Sequence, residues 1–348
     1  MTDRIALIDK LNEEKTLSHN EWVSLFEGYT REDREYAALI ANAMREKKFG
    51  NKVYIRGIVE FSNYCRNDCY YCGICRSNKN AERYRLAEED IMECCKEGYA
   101  AGYRTFVLQS GEDPAYSPDR VAALVKEIKR LYPDCAVTLS IGELEREDYA
   151  LLREAGADRY LLRHETAVKE HYEKLHPSFM SFEHRMKCLR DLKELGFQTG
   201  AGMMIGSPFQ TAHELAEDMI FLADFKPHMV GTGPFLPHKD TIFRDKPKGS
   251  YELTLFILAL VRIMLPNVLL PATTALGTIH PQGREQGILH GANVIMPNLS
   301  PLSVRKKYML YDDKIGTSDS SEDIFSDIKA RLGRIGCEAI VSRGDHSE

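Results

Sequence analysis

The stretch "VYIRGIVEFSNYCRNDCYYCGIC" (53–75) runs from a β-rich segment directly into a loop that holds four of the chain's nine cysteines. The four are Cys65, Cys69, Cys72 and Cys75. Three kinds of structure place cysteines this densely: a disulfide-bonded loop, a structural zinc site and an iron–sulfur cluster. The rest of the sequence has to distinguish between them.

The beginning of the chain argues against the disulfide interpretation. Residues 1–15, "MTDRIALIDKLNEEK", are charged throughout and lack the apolar segment of a secretion signal. We therefore expect a cytoplasmic protein, where cysteines bind metals or act in catalysis more often than they form disulfides.

Composition excludes two further classes of partner. The longest apolar segment, 253–265, contains Arg262 and falls short of the ~20 residues of a membrane span, so it predicts a buried helix and no membrane association. The formal net charge of -6 gives no general reason to expect nucleic-acid binding, which usually shows a basic stripe.

From residue 53 onward, short β-rich runs alternate with helical segments. In "DRVAALVKEIKRL" (119–131), for example, apolar residues recur at helical spacing with charges on the other face. Gly102, Gly156 and Gly196 follow three such helices, as C′ positions favour. This alternation predicts an α/β protein with a full (β/α)8 TIM barrel. The eight predicted strands are 53–61, 105–111, 136–142, 159–166, 200–206, 229–237, 267–275 and 292–298.

The chain divides into three predicted regions. Residues 1–50 form an N-terminal helical extension, whose longer helix begins after the cap Thr30 and stops at Gly50. Residues 51–300 form the barrel. Residues 301–348 form a short C-terminal segment that packs on the barrel, and its last residues, "RGDHSE" (343–348), are expected to fray.

The cysteine loop follows the first strand, which places it on the face where such barrels carry their active sites. Cys65, Cys69 and Cys72 form C-x3-C-x2-C, with Tyr71 before the third cysteine, which is the cluster signature of radical S-adenosylmethionine (SAM) enzymes. Three thiolates hold three irons of a 4Fe–4S cluster and leave the fourth iron open for SAM. Zinc remains an alternative because Cys72 and Cys75 form a CxxC, although structural zinc sites usually have two separated pairs. The role of Cys75 stays open.

Other strand ends carry polar groups that suit this chemistry. The Ser-Gly-Glu of "LQSGEDP" (108–114) resembles the Gly-Gly-Glu element that approaches the amino group of SAM, with an ordinary turn as the alternative. The charges of "RYLLRHET" (159–166) require partners or a ligand if they are buried. Arg185 could pair with the carboxylate of SAM or could be a solvated helix residue.

Several segments taken together resemble the HydE family, the radical SAM maturases of FeFe-hydrogenase within the biotin-synthase-like group. The resemblance covers roughly residues 50–310. The segments include "EFSNYCRNDCYYCG" (60–73), "LQSGEDP" (108–114), "EAGADRYLLRHETA" (154–167), "MVGTGPFLPHKDT" (229–241) and "PATTALGTI" (271–279).

The resemblance implies a radical SAM enzyme in which Cys65, Cys69 and Cys72 hold one 4Fe–4S cluster. It also implies two sets of binding residues, and the second offers arginine and hydroxyl donors to an anionic ligand. The implied SAM contacts are Tyr71, Ser110, Glu112, Thr138, Glu165, Arg185 and Met203. The implied substrate contacts are Arg56, Gln109, Arg159, Arg163, Met229, Thr273, Thr274, Met296 and Tyr308.

The family's reaction is the third implication. SAM is reductively cleaved to a 5′-deoxyadenosyl radical, which adds to sulfur on an iron–carbonyl–cyanide–cysteine complex made by a partner maturase, in assembly of the hydrogenase H-cluster. Implied partners are this organometallic or small-molecule substrate, a reductant protein such as a ferredoxin or flavodoxin, and other hydrogenase maturases; the implied state is a monomer. Some members hold an accessory cluster with cysteines after the last strand, but residues 308–328 contain none, so we expect one cluster.

Three alternatives remain open at this point. One is a related biotin-synthase-like enzyme with an organic substrate, such as an amino-acid mutase of the methylornithine-synthase kind. Another is a HydE-like paralogue with a different substrate. The third is a non-catalytic scaffold that carries zinc or passes a cluster to a partner, and it would not need the SAM-facing elements at the second and fourth strands.

Overall fold

The computed structural model describes residues 3–316 and 321–347, which form an α/β structure. The strands are β1 (Lys52–Ile55), β2 (Gly57–Ser62), β3 (Thr105–Ser110), β4 (Ala136–Ser140), β5 (Arg159–Leu161), β6 (Gln198–Ala201), β7 (Met204–Ile205), β8 (Met229–Val230), β9 (Gly233–Pro234), β10 (Val294–Ile295) and β11 (Glu338–Ile340). The helices are α1 (Arg4–Glu14), α2 (His19–Phe26), α3 (Arg31–Phe49), α4 (Glu88–Ala100), α5 (Pro118–Leu131), α6 (Arg146–Glu154), α7 (Lys169–Leu175), α8 (Phe182–Glu194), α9 (Ala212–Phe225), α10 (Tyr251–Met264), α11 (Thr274–Ile279), α12 (Gly283–Leu289), α13 (Leu302–Arg305) and α14 (Ser321–Arg334).

The main sheet has six parallel strands in the order β2-β3-β4-β5-β6-β8. Leu108 in β3, for example, lies between Val59 of β2 and Leu139 of β4. Parallel neighbours need a crossover, and helices supply it between the strands of this sheet. The predicted strand–helix alternation is confirmed for these six strands, whose carboxyl ends all meet at one edge.

The remaining strands form two smaller sheets, β10-β1-β11 and β7-β9. Isolated parallel bridges pair Met229 with Leu269, Pro271 with Val294, and Ile58 with Asn298. The prediction of a continuous strand over 267–275 is wrong, because residues 274–279 are helical and the preceding segment makes only bridges. Prolines 266, 271 and 297 have no N–H to donate, so a regular ladder cannot continue through this region.

Helix ends follow the predicted signals. The hydroxyl of Thr30 accepts a hydrogen bond from the backbone N–H of Asp33 at 3.2 Å, and Gly50 ends α3 with φ 65°. Gly102, Gly156 and Gly196 have φ 100°, 105° and 78°, a left-handed region that side chains disfavour. Glycine at these positions therefore ends α4, α6 and α8 where the sequence predicts.

The apolar segment 253–265 forms most of α10, and every residue from Thr254 to Met264 is buried. Arg262 is fully buried, and its guanidinium donates to the carbonyls of Pro266, Val268 and Gly291 at 2.8 Å each. The prediction of a buried helix is confirmed. Within the described residues, no helix has the length and apolar character to cross a membrane.

The two ends of the chain pack against this framework. In the N-terminal extension, α3 lies along α10 and α2 lies along α9. The indole of Trp22 in α2 is fully buried. At the other end, β11 adds to β1 as a parallel neighbour, with Val53 opposite Ala339.

The prediction that residues 343–348 fray is wrong for the described part, 343–347. The fully buried Arg159 donates to the carboxylate of Asp345 at 2.5 Å and to the carbonyl of Arg343 at 2.6 Å. Arg343 in turn binds Asp158 at 2.8 Å. A buried guanidinium needs acceptors, and this terminal segment supplies them.

We predict that Asp345→Ala lowers the free energy of unfolding by roughly 1–3 kcal/mol, because Arg159 would lose a charged acceptor while buried. Urea denaturation of the purified protein measures the change. Glu338→Gln, which changes an exposed carboxylate in β11, is the matched control and should shift the free energy of unfolding by less than ~0.5 kcal/mol. Equal stability of the Asp345→Ala variant and the unaltered protein would show that the terminal segment does not stabilise Arg159.

Candidate active site

The cysteine loop follows β2 at the carboxyl edge of the main sheet and is held by three separate segments of the chain. Backbone hydrogen bonds fix the loop at the residues between the cysteines, which limits how far the three sulfur atoms can move. These bonds run from Arg66 N to Glu112 O at 2.9 Å, from Tyr70 N to Leu175 O at 3.0 Å and from Gly73 N to Leu310 O at 2.9 Å.

Cys65, Cys69 and Cys72 all line one cavity of about 350 Å³. Cys75 does not line it, and its sulfur lies 3.6 Å from the hydroxyl of Ser77. All nine cysteines lie within the described residues and are free thiols, which excludes the disulfide interpretation of the loop in this structure.

Burial makes thiolates at these positions unfavourable without a compensating cation. It raises the pKa of Cys65, and it raises that of Cys69 well above its usual value, with the neighbouring sulfur of Cys72 adding to the effect. The pKa of Cys72 rises to about 12 for the same reasons, burial and then Cys65. An iron–sulfur cluster takes thiolate ligands and supplies the missing positive charge, so three converging sulfur atoms fit such a group.

Residues from several strand ends share this cavity with the cysteines. Of the predicted SAM contacts, the cavity is lined by Tyr71, Ser110, Glu112, Glu165 and Arg185. Of the predicted substrate contacts, it is lined by Gln109, Arg163, Thr273, Thr274, Met296 and Tyr308.

Glu112 is fixed after the end of β3 by hydrogen bonds and by close packing against Gly142, and the preceding Gly111 packs against the cysteine loop. Its carboxylate accepts from the backbone N–H of Glu143 and from the Nε of Arg66, both at 2.9 Å. A Cβ on Gly142 would lie 2.0 Å from the Cγ of Glu112, and one on Gly111 would lie 2.3 Å from the carbonyl oxygen of Tyr64. Only glycine permits these approaches, so the Ser-Gly-Glu element packs directly against the cysteine loop.

Arg163 and Glu165 form an ion pair at the end of β5. Nε of Arg163 donates to one carboxylate oxygen of Glu165 at 3.0 Å, and a terminal nitrogen lies 2.9 Å from the other. Glu165 has φ 67°, an unusual conformation for a residue with a side chain, and its side chain is 7% exposed. The predicted need for partners is thus met within the cavity for Arg163 and Glu165, whereas Arg159 of the same segment pairs with Asp345 outside it.

Arg185 reaches the cavity from α8, and the alternative of a solvated helix residue is wrong because it is buried. Burial opposes its charge, but the adjacent carboxylate of Glu143 holds the pKa of Arg185 well above its usual value. Nε binds Glu143, and one terminal nitrogen donates to the carbonyl of Arg163 at 2.7 Å. These two contacts fix the guanidinium plane at the cavity wall.

Tyr71 has a partner that the sequence analysis did not identify. Its hydroxyl lies 3.2 Å from Nε2 of His176, whose Nδ1 lies 2.9 Å from the carbonyl of Tyr172. Burial is the main cause that lowers the pKa of His176 to about 3, and the positive charge of Arg185 is the second. The neutral ring therefore donates from Nδ1 and accepts the tyrosine proton at Nε2.

The buried ion pair of Glu60 and Lys314 is a second feature that was missed. Both residues line the cavity, and Asn298 donates to Glu60 at 2.7 Å. A lone glutamate within the apolar run of β2 was the available signal, since such a charge needs a partner. No sequence feature near Glu60 indicates that its partner is Lys314, which lies 254 residues further along the chain.

Two predicted SAM contacts lie outside the cavity lining. Thr138 is buried in β4, and its hydroxyl has no hydrogen-bond partner, while Ser140 lines the cavity two residues later. Met203 is fully buried, and its neighbour Met204 lines the cavity. Thr138 and Ser140 lie two positions apart in β4, so their side chains share one face of the strand. The prediction of a SAM contact at Thr138 could therefore have been extended to Ser140.

Three predicted substrate contacts, Arg56, Arg159 and Met229, also lie outside the cavity lining. A terminal nitrogen of Arg56 lies 3.0 Å from the sulfur of Met229, and another donates to the carbonyl of Gly344 at 3.2 Å. Burial is the main cause that lowers the pKa of Arg56 well below its usual value, and the positive charge of Arg159 is the second. The structure thus places these residues deeper, beside the C-terminal segment.

Comparison with known proteins gives consistent matches. The Radical SAM superfamily profile matches residues 59–222. The [FeFe] hydrogenase maturase subunit HydE of Thermotoga maritima is 52% identical over 276 residues, covering 79% of this chain and 78% of that protein. The 3-methylornithine synthase of Methanosarcina acetivorans is 32% identical over 336 residues, covering 95% and 92%. The crystal structure of methylornithine synthase (PylB) superimposes with TM-score 0.84 at 28% identity, covering 96% and 97%.

The profile match begins in β2 and includes the cysteine loop and the ends of β3, β4, β5 and β7 that line the cavity. The chain is 52% identical to HydE and 32% identical to the methylornithine synthase, a difference of 20 percentage points. The protein is therefore a radical SAM enzyme of the HydE family, which implies a 4Fe–4S cluster and SAM as its cofactors.

Proposed function

We propose that the protein binds one 4Fe–4S cluster through Cys65, Cys69 and Cys72 and acts as a HydE-type maturase in assembly of the FeFe-hydrogenase H-cluster. The observation that carries the proposal is the convergence of these three thiols on one cavity with groups from other strand ends. When bound, the cluster supplies the electron that cleaves SAM to a 5′-deoxyadenosyl radical.

The residues of the chain bind and orient SAM. Arg185, held by Glu143, faces the cavity as a fixed cation and suits the carboxylate of SAM. Glu112 and Glu165 line the same cavity as anions and suit its amino and ribose groups. Thr138 and Met203 are proposed as further contacts behind this wall, next to Ser140 and Met204.

The substrate proposal rests on a second group of residues in the lining of the same cavity. Arg163, Thr273 and Thr274 line this cavity and offer donors to an anionic ligand such as an iron–carbonyl–cyanide–cysteine complex. Gln109, Met296 and Tyr308 complete this wall. Arg56, Arg159 and Met229 are proposed to act from the deeper position beside the C-terminal segment.

Closure of the strands into a full (β/α)8 barrel is part of the proposal. The bridges at Leu269, Pro271 and Asn298 support it, because they link β8 to β2 through β10. The domain division into 1–50, 51–300 and 301–348 is proposed with it. So are a monomeric state, a cytoplasmic location, a ferredoxin or flavodoxin as reductant and other maturases as partners.

A second candidate function is an amino-acid mutase of the methylornithine-synthase type. It is favoured by one observation: the similarity to 3-methylornithine synthase covers 95% of this chain, whereas that to HydE covers 79%. The two functions share the cluster and SAM and differ in the substrate that stimulates SAM cleavage. An α-amino acid that increases 5′-deoxyadenosine formation would favour the mutase.

We predict that Cys69→Ala abolishes both the SAM-responsive EPR signal and the release of 5′-deoxyadenosine after anaerobic reconstitution with iron and sulfide. Cys75→Ser is the matched control and should keep both, because Cys75 does not line the cavity. Stoichiometric zinc without SAM cleavage in the unaltered protein would contradict the enzyme proposal. Loss of the cluster in Cys75→Ser would contradict the three-ligand assignment.

We predict that Arg185→Lys weakens SAM binding roughly 10- to 100-fold, because lysine cannot reproduce the planar fork that binds Glu143 and faces SAM. The measurement is the KM for SAM in 5′-deoxyadenosine formation, with iron content as a check on the cluster. Arg146→Lys is the control, since Arg146 of α6 pairs with Asp191 of α8 and its side chain is 40% exposed. An unchanged KM in Arg185→Lys would refute a SAM contact.

We predict that Thr274→Val raises the KM for the iron–carbonyl–cyanide–cysteine complex roughly tenfold and leaves substrate-free SAM cleavage unchanged. The loss of one hydroxyl donor from the substrate side of the cavity is the physical reason. Thr278→Val, one turn later on α11 and outside the cavity lining, should change neither quantity. An equal loss of substrate-free cleavage in Thr274→Val would place the residue at SAM instead.

A further inference from the structure

A cluster of metal-binding side chains lies outside the candidate active site, where α2 of the N-terminal extension packs against α9. Nε2 of His19 lies 2.9 Å from Nδ1 of His213 and 3.4 Å from Oε1 of Glu217. One ligand atom from each of the three residues lies within 4.8 Å of the others.

Hydrogen bonds among His19, His213 and Glu217 cannot satisfy all three of their converging atoms. The three atoms that converge are two imidazole nitrogens and a carboxylate oxygen, and each offers a lone pair. If Nε2 of His19 carries a proton, it can be directed at either His213 or Glu217. Whichever of His213 and Glu217 does not accept this proton then has a lone pair that receives no hydrogen bond from these three residues. A cation between the three atoms would accept a lone pair from each of them.

The backbone holds the three ligands in place. His19 is the first residue of α2, whose start is fixed by the Glu21 carboxylate accepting from Ser18 N–H at 2.8 Å. His213 lies in the first turn of α9, where the carboxylate of Glu214 accepts from the N–H of Thr211 at 2.7 Å. Capped helix starts of this kind restrict the ligands before any metal binds.

The spacing of the α9 ligands is also suitable. His213 and Glu217 are four residues apart, so they lie on one face of the helix, one turn from each other. His19 completes the set from a different element. Ligands about 2.0–2.1 Å from a tetrahedral ion are about 3.3 Å apart, close to the 2.9 and 3.4 Å observed.

We propose that His19, His213 and Glu217 bind a divalent transition-metal ion of the Zn²⁺ class, which joins the N-terminal extension to α9. Imidazole nitrogen with one carboxylate is a donor set that suits zinc rather than calcium or magnesium. The side chains of His19 and Glu217 are 33% and 38% exposed, so solvent can fill the remaining coordination position.

The test uses the cluster-loaded protein, in which the cysteine loop does not compete for zinc. Zn²⁺ is titrated anaerobically against a chromophoric chelator, with the unaltered protein, His213→Ala and Glu217→Gln in parallel. We expect one Zn²⁺ per chain beyond the cluster and at least a tenfold loss of affinity in both variants. Zinc at about 100 times its Kd should also raise the Tm of the unaltered protein by a few degrees, and should leave His213→Ala unchanged.

The control is His280→Ala, a partly exposed histidine that stacks on Tyr251, and it should bind zinc like the unaltered protein. Zinc-edge X-ray absorption should show nitrogen and oxygen ligands without sulfur. Equal zinc affinity in the unaltered protein and His213→Ala would overturn the proposal. Sulfur ligation would also overturn it, because the zinc would then occupy cysteines.

Discussion

Charge buried at the carboxyl edge of the sheet is the constraint on which the candidate site depends. Three cations, Arg163, Arg185 and Lys314, line one cavity, and each has a carboxylate partner: Glu165, Glu143 and Glu60 respectively. Unpaired charges would be unfavourable here, and the Arg185–Glu143 and Lys314–Glu60 pairs each join two segments that are distant in the chain. The cysteine loop is packed against this paired framework, which places its thiols beside fixed charges.

Much of this arrangement could be predicted from the sequence because its signals are local. A helix end with glycine, a capping threonine and the alternation of strands and helices each depend on neighbouring residues, and the structure confirms them at Thr30, Gly102, Gly156 and Gly196. The cysteine spacing is also local. The parallel sheet then brings distant strand ends together at one edge, so Glu112 and Glu165 could be assigned to the same region before the structure was known.

The parts that could not be predicted depend on long-range pairing or on register. Lys314 reaches Glu60, and the terminal Asp345 reaches Arg159, through contacts between residues 254 and 186 positions apart. The cavity wall contains Met204 rather than Met203, because a shift of one residue in a strand exchanges its two faces. Prolines interrupt the seventh predicted strand, 267–275, in a similar way, because they break a ladder that the apolar pattern favours.

Helix α9 connects the candidate site to the N-terminal extension. Its inward-facing Asp218 is fully buried, accepts from the N–H of Ala167 at 2.6 Å and lies 3.3 Å from Nε2 of His164. The N–H of Gly202 donates to Nδ1 of His164 at 3.1 Å, so the ring proton is on Nε2, facing Asp218. These contacts bracket Glu165 and hold its strained turn at the cavity. The same helix carries the proposed metal ligands His213 and Glu217, so α9 packs against both the N-terminal extension and the segment that presents Glu165.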